Sequence, residues 1–231
     1  MLSTRSVRGV SARTRYRVRV GRLGEASRLT HLAQIESLRR AVVESGLPAV
    51  MDAKRKRPRP RLAFGPAIAM GYESLAEYFD LELESKLDPE KVAAALKEVL
   101  SSGFSLRGVR RIPRFFPSID ASVNVVRYIL SAKFPPDADE RRERMLARDE
   151  IVIEKIKEGG ARIEHVDARP LILKLDLLDS RKAELTLRFG PKRTVKPEAV
   201  VKEWLGSVPE SLGVLREDLF SETVGGELIL P

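Results

Sequence analysis

Eight consecutive residues, Lys54-Arg55-Lys56-Arg57-Pro58-Arg59-Pro60-Arg61, contain six cations, two prolines and no acid. Like charges this close repel one another, so the run stays in water until a polyanion arrives. A phosphate backbone is such a partner, because neutralising it releases its condensed counterions. Upstream, Arg15, Arg17 and Arg19 alternate with Tyr16, Val18 and Val20, the pattern of a half-buried strand with a basic outer face. Together with Arg28, beside the next helix start, and the 54–61 run, these cations can form one patch. It would hold phosphates and set register without reading bases. The competing reading pairs Arg17 and Arg19 with Glu82 and Glu84 on a neighbouring strand.

His31 follows Thr30, a residue type that caps helices. The positive end of a helix keeps an imidazole neutral. A neutral histidine beside a basic patch is suited to take a proton from a ribose 2′-hydroxyl; the plainer role is capping or packing. Asp167 and Arg169 suit a turn between strands, His165 a solvent-facing strand position and Trp204 the core. Phe115-Phe116 can stack bases or pack between domains. Gly21-Arg-Leu-Gly24 has no phosphate-loop spacing.

Composition excludes several chemistries. The 231 residues contain no cysteine, so there is no disulfide, thiolate zinc site, iron–sulfur cluster or cysteine nucleophile. The two histidines lie far apart and make no metal-ligand spacing, and no cofactor is expected. Aromatics at 6% disfavour a broad base-stacking platform. The net charge is +9, unevenly spread: residues 1–135 carry 25 Lys and Arg against 13 Asp and Glu, residues 136–231 carry 17 against 20. The front half therefore holds the electrostatic footprint. No apolar run is long enough to span a bilayer. Residues 1–14 lack a secretory apolar stretch and read as a disordered tail. Cytoplasm is the expected compartment.

The elements that must position these residues follow from periodicity. Leu32, Ile35, Leu38 and Val42 fall at helical spacing before Gly46 and Pro48. Residues 62–64 form a short strand. Tyr78 to Glu84 alternates with an acidic outer face, and Asp88-Pro89-Glu90 opens a second helix that Gly103 stops. Phe104 to Ile112 closes a β-α-β-β-α-β order, the ferredoxin-like arrangement. After a linker at 113–122 come a strand at 123–134, a charged helix to about 147, and a hairpin turning at Glu158-Gly159-Gly160. A second hairpin (171–178 and 183–189), a helix (195–205) and a last strand (214–220) follow. The expected fold is α+β, two ferredoxin-like (βαββαβ) units in tandem at 15–112 and 123–231, the second degenerate with an extra hairpin.

The ordered landmarks Tyr16-Arg-Val-Arg-Val-Gly21, Leu29-Thr-His-Leu32, Gly46-Leu-Pro48, Pro58-Arg-Pro-Arg-Leu-Ala-Phe-Gly-Pro66, Gly71-Tyr-Glu-Ser74 and Glu77-Tyr-Phe-Asp80 carry a resemblance. With Val166-Asp-Ala-Arg-Pro170 and Val195-Lys-Pro-Glu198, they make the chain similar over roughly 15–220 to the radical-SAM-linked protein family. This is a domain of unknown function found as an extension or neighbour of cobalamin-binding radical SAM enzymes. The family's usual aromatic, serine and Gly-Phe-Asn approach to the Pro-x-Pro segment is replaced here by Met51-Asp-Ala-Lys-Arg-Lys-Arg57. The resemblance implies a radical SAM enzyme as partner, acting on RNA; without cysteine the chain cannot be that catalyst. The expectation is an RNA-binding accessory or adaptor module with no catalysis of its own. The alternatives are a metal-independent endoribonuclease using His31, on the element order of CRISPR-RNA-processing enzymes, and a protein-only scaffold.

Overall fold

The computed structural model describes residues 13–53, 57–156, 163–190 and 194–231. Of the tail expected over residues 1–14, residues 1–12 lie outside them, as do the cations Lys54, Arg55 and Lys56 and the Glu158-Gly159-Gly160 turn; Thr14 already belongs to the first strand.

Strand β1 (Thr14–Arg22) leads into helix α1 (His31–Glu44), whose start Thr30 caps by accepting from the Ala33 N–H at 3.2 Å. Three short strands follow, β2 (Met51–Asp52), β3 (Arg59–Pro60) and β4 (Leu62–Phe64), then the long β5 (Glu73–Leu83). Pro89 opens α2 (Pro89–Val99), where its missing N–H costs nothing, and β6 (Phe104–Ile112) follows. Between α2 and β6 the chain must turn at Gly103, φ +81°; a Cβ there would lie 2.7 Å from the Ala26 Cβ and 2.8 Å from the Leu23 carbonyl oxygen.

The 113–122 segment ends in the short helix α3 (Ile119–Ser122). Then come β7 (Val125–Ser131), α4 (Ala138–Leu146), the separate hairpin β8 (Val152–Ile156) and β9 (Ile163–Asp167), and β10 (Ile172–Asp179). β11 (Lys182–Arg188), α5 (Pro197–Leu205), β12 (Gly213–Glu222) and β13 (Leu228–Ile229) complete the chain.

This is an α+β fold built on one large mixed sheet, in the order β10-β11-β7-β12-β5-β1-β6, with β4 also on β5 and β13 on β12. In the front half β6, β1, β5 and β4 are antiparallel neighbours; in the back half β12, β7, β11 and β10 are. The halves join where β12 runs parallel to β5, Leu215 opposite Glu73 and Arg216 opposite Ser74.

Two apolar clusters hold the sheet. Tyr16, Val18, Phe79 and Leu81 meet Leu38, Val42, Val92 and Leu96 from α1 and α2. Val126, Leu130, Leu185 and Leu219 meet Val200, Val201 and Trp204 from α5. Tyr72, Ala76 and Ile119 from before β7 belong to this second cluster, so Ile119 anchors the 113–122 segment while residues 113–117 stay exposed. Trp204 is interior as expected: its indole N–H donates to the Ala138 carbonyl at 2.7 Å and its ring stacks on Phe134.

The apolar stripe expected for α1 holds in part: Leu38 and Val42 are buried and Ile35 is half-buried, while Leu32 is 75% exposed. The buried face also takes in Gln34, whose amide donates to Glu77 Oε2 at 2.7 Å.

Candidate functional site

The basic strand face is not a solvent-facing surface, which corrects the sequence expectation. Arg17 is 1% exposed, and its Nε and Nη2 donate to the two Asp80 carboxylate oxygens at 2.8 and 3.1 Å. Arg15 donates to the same carboxylate at 2.5 Å and to the Phe116 and Pro117 carbonyls. Asp80 also accepts from the Ile119 N–H at 3.0 Å. Arg19 pairs with Asp218 at 2.5 Å and donates to the Leu75 carbonyl at 2.8 Å. Tyr16 and Val18 alternate with these arginines and face the α1–α2 core, so the arginines point to the opposite face. There the 113–122 segment and β12 cover them. The expected partners, Glu82 and Glu84, are displaced by register: Asp80 stands opposite Arg17, and Glu82 opposite Arg15.

The remaining expected residues separate into three groups. Arg15, Arg59 and Arg61 meet Arg39, Asp52, Asp80 and Glu82 around a cleft of about 280 Å³ between β1, α1, β3–β4 and β5. Arg59 reaches Glu36 at 2.8 Å and Arg61 reaches Glu82 at 3.7 Å, both pairs partly exposed. Arg39 of α1 was not among the expected cleft residues; its guanidinium sits 5.7 Å from the Phe64 ring centroid. Arg57 is exposed beside the cleft strands, while Arg28 pairs with Glu25 at 3.5 Å on the surface. His31 starts α1 with its Nδ1 buried and without a hydrogen-bond partner among the described residues, and it does not line the arginine cleft. Asp167 organises a turn, accepting from the Ile151 and Arg169 N–H groups at 3.0 and 2.9 Å. His165 is exposed, as is Phe115 at 89%; the neighbouring Phe116 ring lies 5.8 Å from the Arg17 guanidinium carbon.

Sequence reasoning missed a buried charged network at the junction of the two halves. Glu77 (5% exposed) is salt-bridged to Arg216 (3% exposed) and accepts from Gln34. Burial opposes ionisation of Glu77, but the Arg216 guanidinium, with hydrogen bonds from Ser74, Arg216 and Gln34, outweighs it and holds the carboxyl below its usual range. Arg22, fully buried, donates to the Ala26, Ser27 and Leu29 carbonyls at 2.8, 2.5 and 2.7 Å. Burial lowers the Arg22 pKa; Glu77 opposes this and Arg216 adds to it. Nearby, burial and a hydrogen bond to Glu198 raise the Tyr72 hydroxyl well above its ordinary range, so it remains a donor. The only sequence signal for this network was polar residues on otherwise apolar element faces.

Among the described residues no cluster of histidine and carboxylates could hold a metal ion, and no helix is long and apolar enough to cross a membrane. The cleft on this α+β scaffold is lined by four arginines, Arg15, Arg39, Arg59 and Arg61, and three carboxylates, Asp52, Asp80 and Glu82. Residues 15–197 match a family of uncharacterized proteins conserved in bacteria (DUF2344), and the chain belongs to that family, which is associated with cobalamin-binding radical SAM enzymes. No curated protein matches the chain.

Proposed function

We propose that the chain is an RNA-binding accessory module that works beside a radical SAM enzyme modifying tRNA or rRNA, without catalysis of its own. The observation that carries this reading is the cleft where Arg15, Arg39, Arg59 and Arg61 converge, the last two directly after the Lys54–Arg57 run in sequence. A phosphate backbone would enter there. The Arg59–Glu36 and Arg61–Glu82 pairs are partly exposed, and such pairs contribute about 0–1 kcal/mol, so phosphate can displace their carboxylates at little cost. In this reading Arg17 holds the cleft's Asp80 from behind, Arg19 is tied to Leu75 and Asp218, and neither touches RNA. Each half is read as a ferredoxin-like unit, the second with an inserted β8–β9 hairpin; the antiparallel orders β6-β1-β5-β4 and β12-β7-β11-β10 support this. Such a module would act in the cytoplasm.

The test is retention of bulk cellular RNA as a function of salt. Replacing Lys54, Arg55, Lys56 and Arg57 with Ser, and separately Arg59 and Arg61, should weaken retention and flatten its salt slope by about one unit per lost phosphate contact. Unchanged retention and slope in both variants would remove the RNA reading and leave the protein-only scaffold.

A further inference from the structure

A second cavity, of about 750 Å³, lies away from the arginine cleft, between the back-half sheet, α3, Pro66 and Ala67, and the residues Gly190, Thr194 and Val195 ahead of α5. Its volume is in the range of small-molecule sites. Its walls are largely apolar, with Val123, Val126, Leu187, Phe189, Val195 and Leu219 prominent. Arg216 stands among them. Two of its nitrogens reach the Pro66 carbonyl and Glu77, but its Nε is buried with no hydrogen-bond partner among the described residues. Behind it, Glu77 is bridged to Arg216, while Arg22 is held by the Ala26, Ser27 and Leu29 carbonyls. A buried N–H left unmatched is costly. An anion placed against Arg216 relieves that cost.

We propose that this cavity binds a small organic monoanion, a carboxylate on an apolar body, through the guanidinium of Arg216. The apolar walls bury the body, and the unpartnered N–H of the Arg216 guanidinium takes the carboxylate. A phosphate fits less well: Asp120 also lines the cavity and opposes a second negative charge, and the other lining guanidinium, Arg188, is already paired with Glu222. This inference does not depend on RNA binding.

Isothermal titration calorimetry on the full chain tests it, with phenylbutyrate and decanoate as probes and the uncharged amide of each as control. At least one carboxylate should bind saturably, with its amide at least about tenfold weaker, the worth of one charge-assisted hydrogen bond. Ala121→Trp, at an exposed position of the cavity wall, should abolish binding by filling the space. The double variant Glu77→Gln/Arg216→Met removes both charges together and should bind carboxylate and amide alike. The proposal is overturned if neither carboxylate binds, if amide and carboxylate bind equally to the unmodified chain, or if Ala121→Trp binds as before.

Discussion

Arg17 and Asp80 face each other across the β1–β5 register and are joined by two hydrogen bonds in the interior. Asp80 also holds Arg15 and the N–H of Ile119, so one carboxylate ties the front sheet to the segment that crosses it. This puts much of the arginine face of β1 under chain: Arg17 is buried, and Arg15 and Arg19 are half-buried.

Removing Asp80 should therefore be severe. Asp80→Ala leaves two guanidiniums without their carboxylate and is expected to cost about 3–5 kcal/mol in urea unfolding. Replacing the pair together, Arg17→Met with Asp80→Leu, should cost much less, because no uncompensated charge stays buried. Equal losses in the two variants would show that the pair matters only through its volume.

Stability should fall in acid partly through Glu77. Its folded pKa is depressed, so as pH drops the unfolded chain takes up the proton first, and stability decreases toward the folded value. The contribution is full above the unfolded value of about 4.3 and is lost below it. A Glu77→Gln variant should be less stable at pH 7 yet show a shallower decline between about pH 5 and 3. Parallel pH profiles for the two proteins would rule out this linkage.

Gly103 should resist substitution. Gly103→Ala meets both a positive φ and the nearby Ala26 and Leu23 atoms, and is expected to destabilise by more than about 1 kcal/mol. Gly108→Ala is the control: nothing lies within 4 Å of its added carbon and its φ is not positive. A thermal melt in which both variants lose the same stability would contradict the steric account.

His31→Ala separates the two RNA readings. Since His31 does not line the arginine cleft, retention of RNA should be unchanged. Cleavage of RNA by the unmodified protein that disappears in the variant would instead support the endoribonuclease alternative.

Much of the architecture was legible from local pattern. Tyr16, Val18 and Val20 marked β1, Asp88-Pro89 the start of α2, and the paired runs around 171–189 the hairpin of β10 and β11. These signals are local because strand alternation, helix phase and proline geometry act within a few residues. The convergence of Arg59 and Arg61 was half legible: their charge was plain, but Arg39 joins them only because α1 packs beside β3.

The sequence by itself determined the kinds of elements, their order, the absence of thiol chemistry and the cationic bias of the front half. The tertiary structure alone decided which charges meet solvent. Arg17 and Arg57 are equally cationic in the sequence, yet one is buried against Asp80 and the other exposed. The junction network of Gln34, Glu77 and Arg216 was likewise invisible, since its members are up to 182 positions apart. Burial and pairing depend on which distant segment lies over a face, and no local period encodes that.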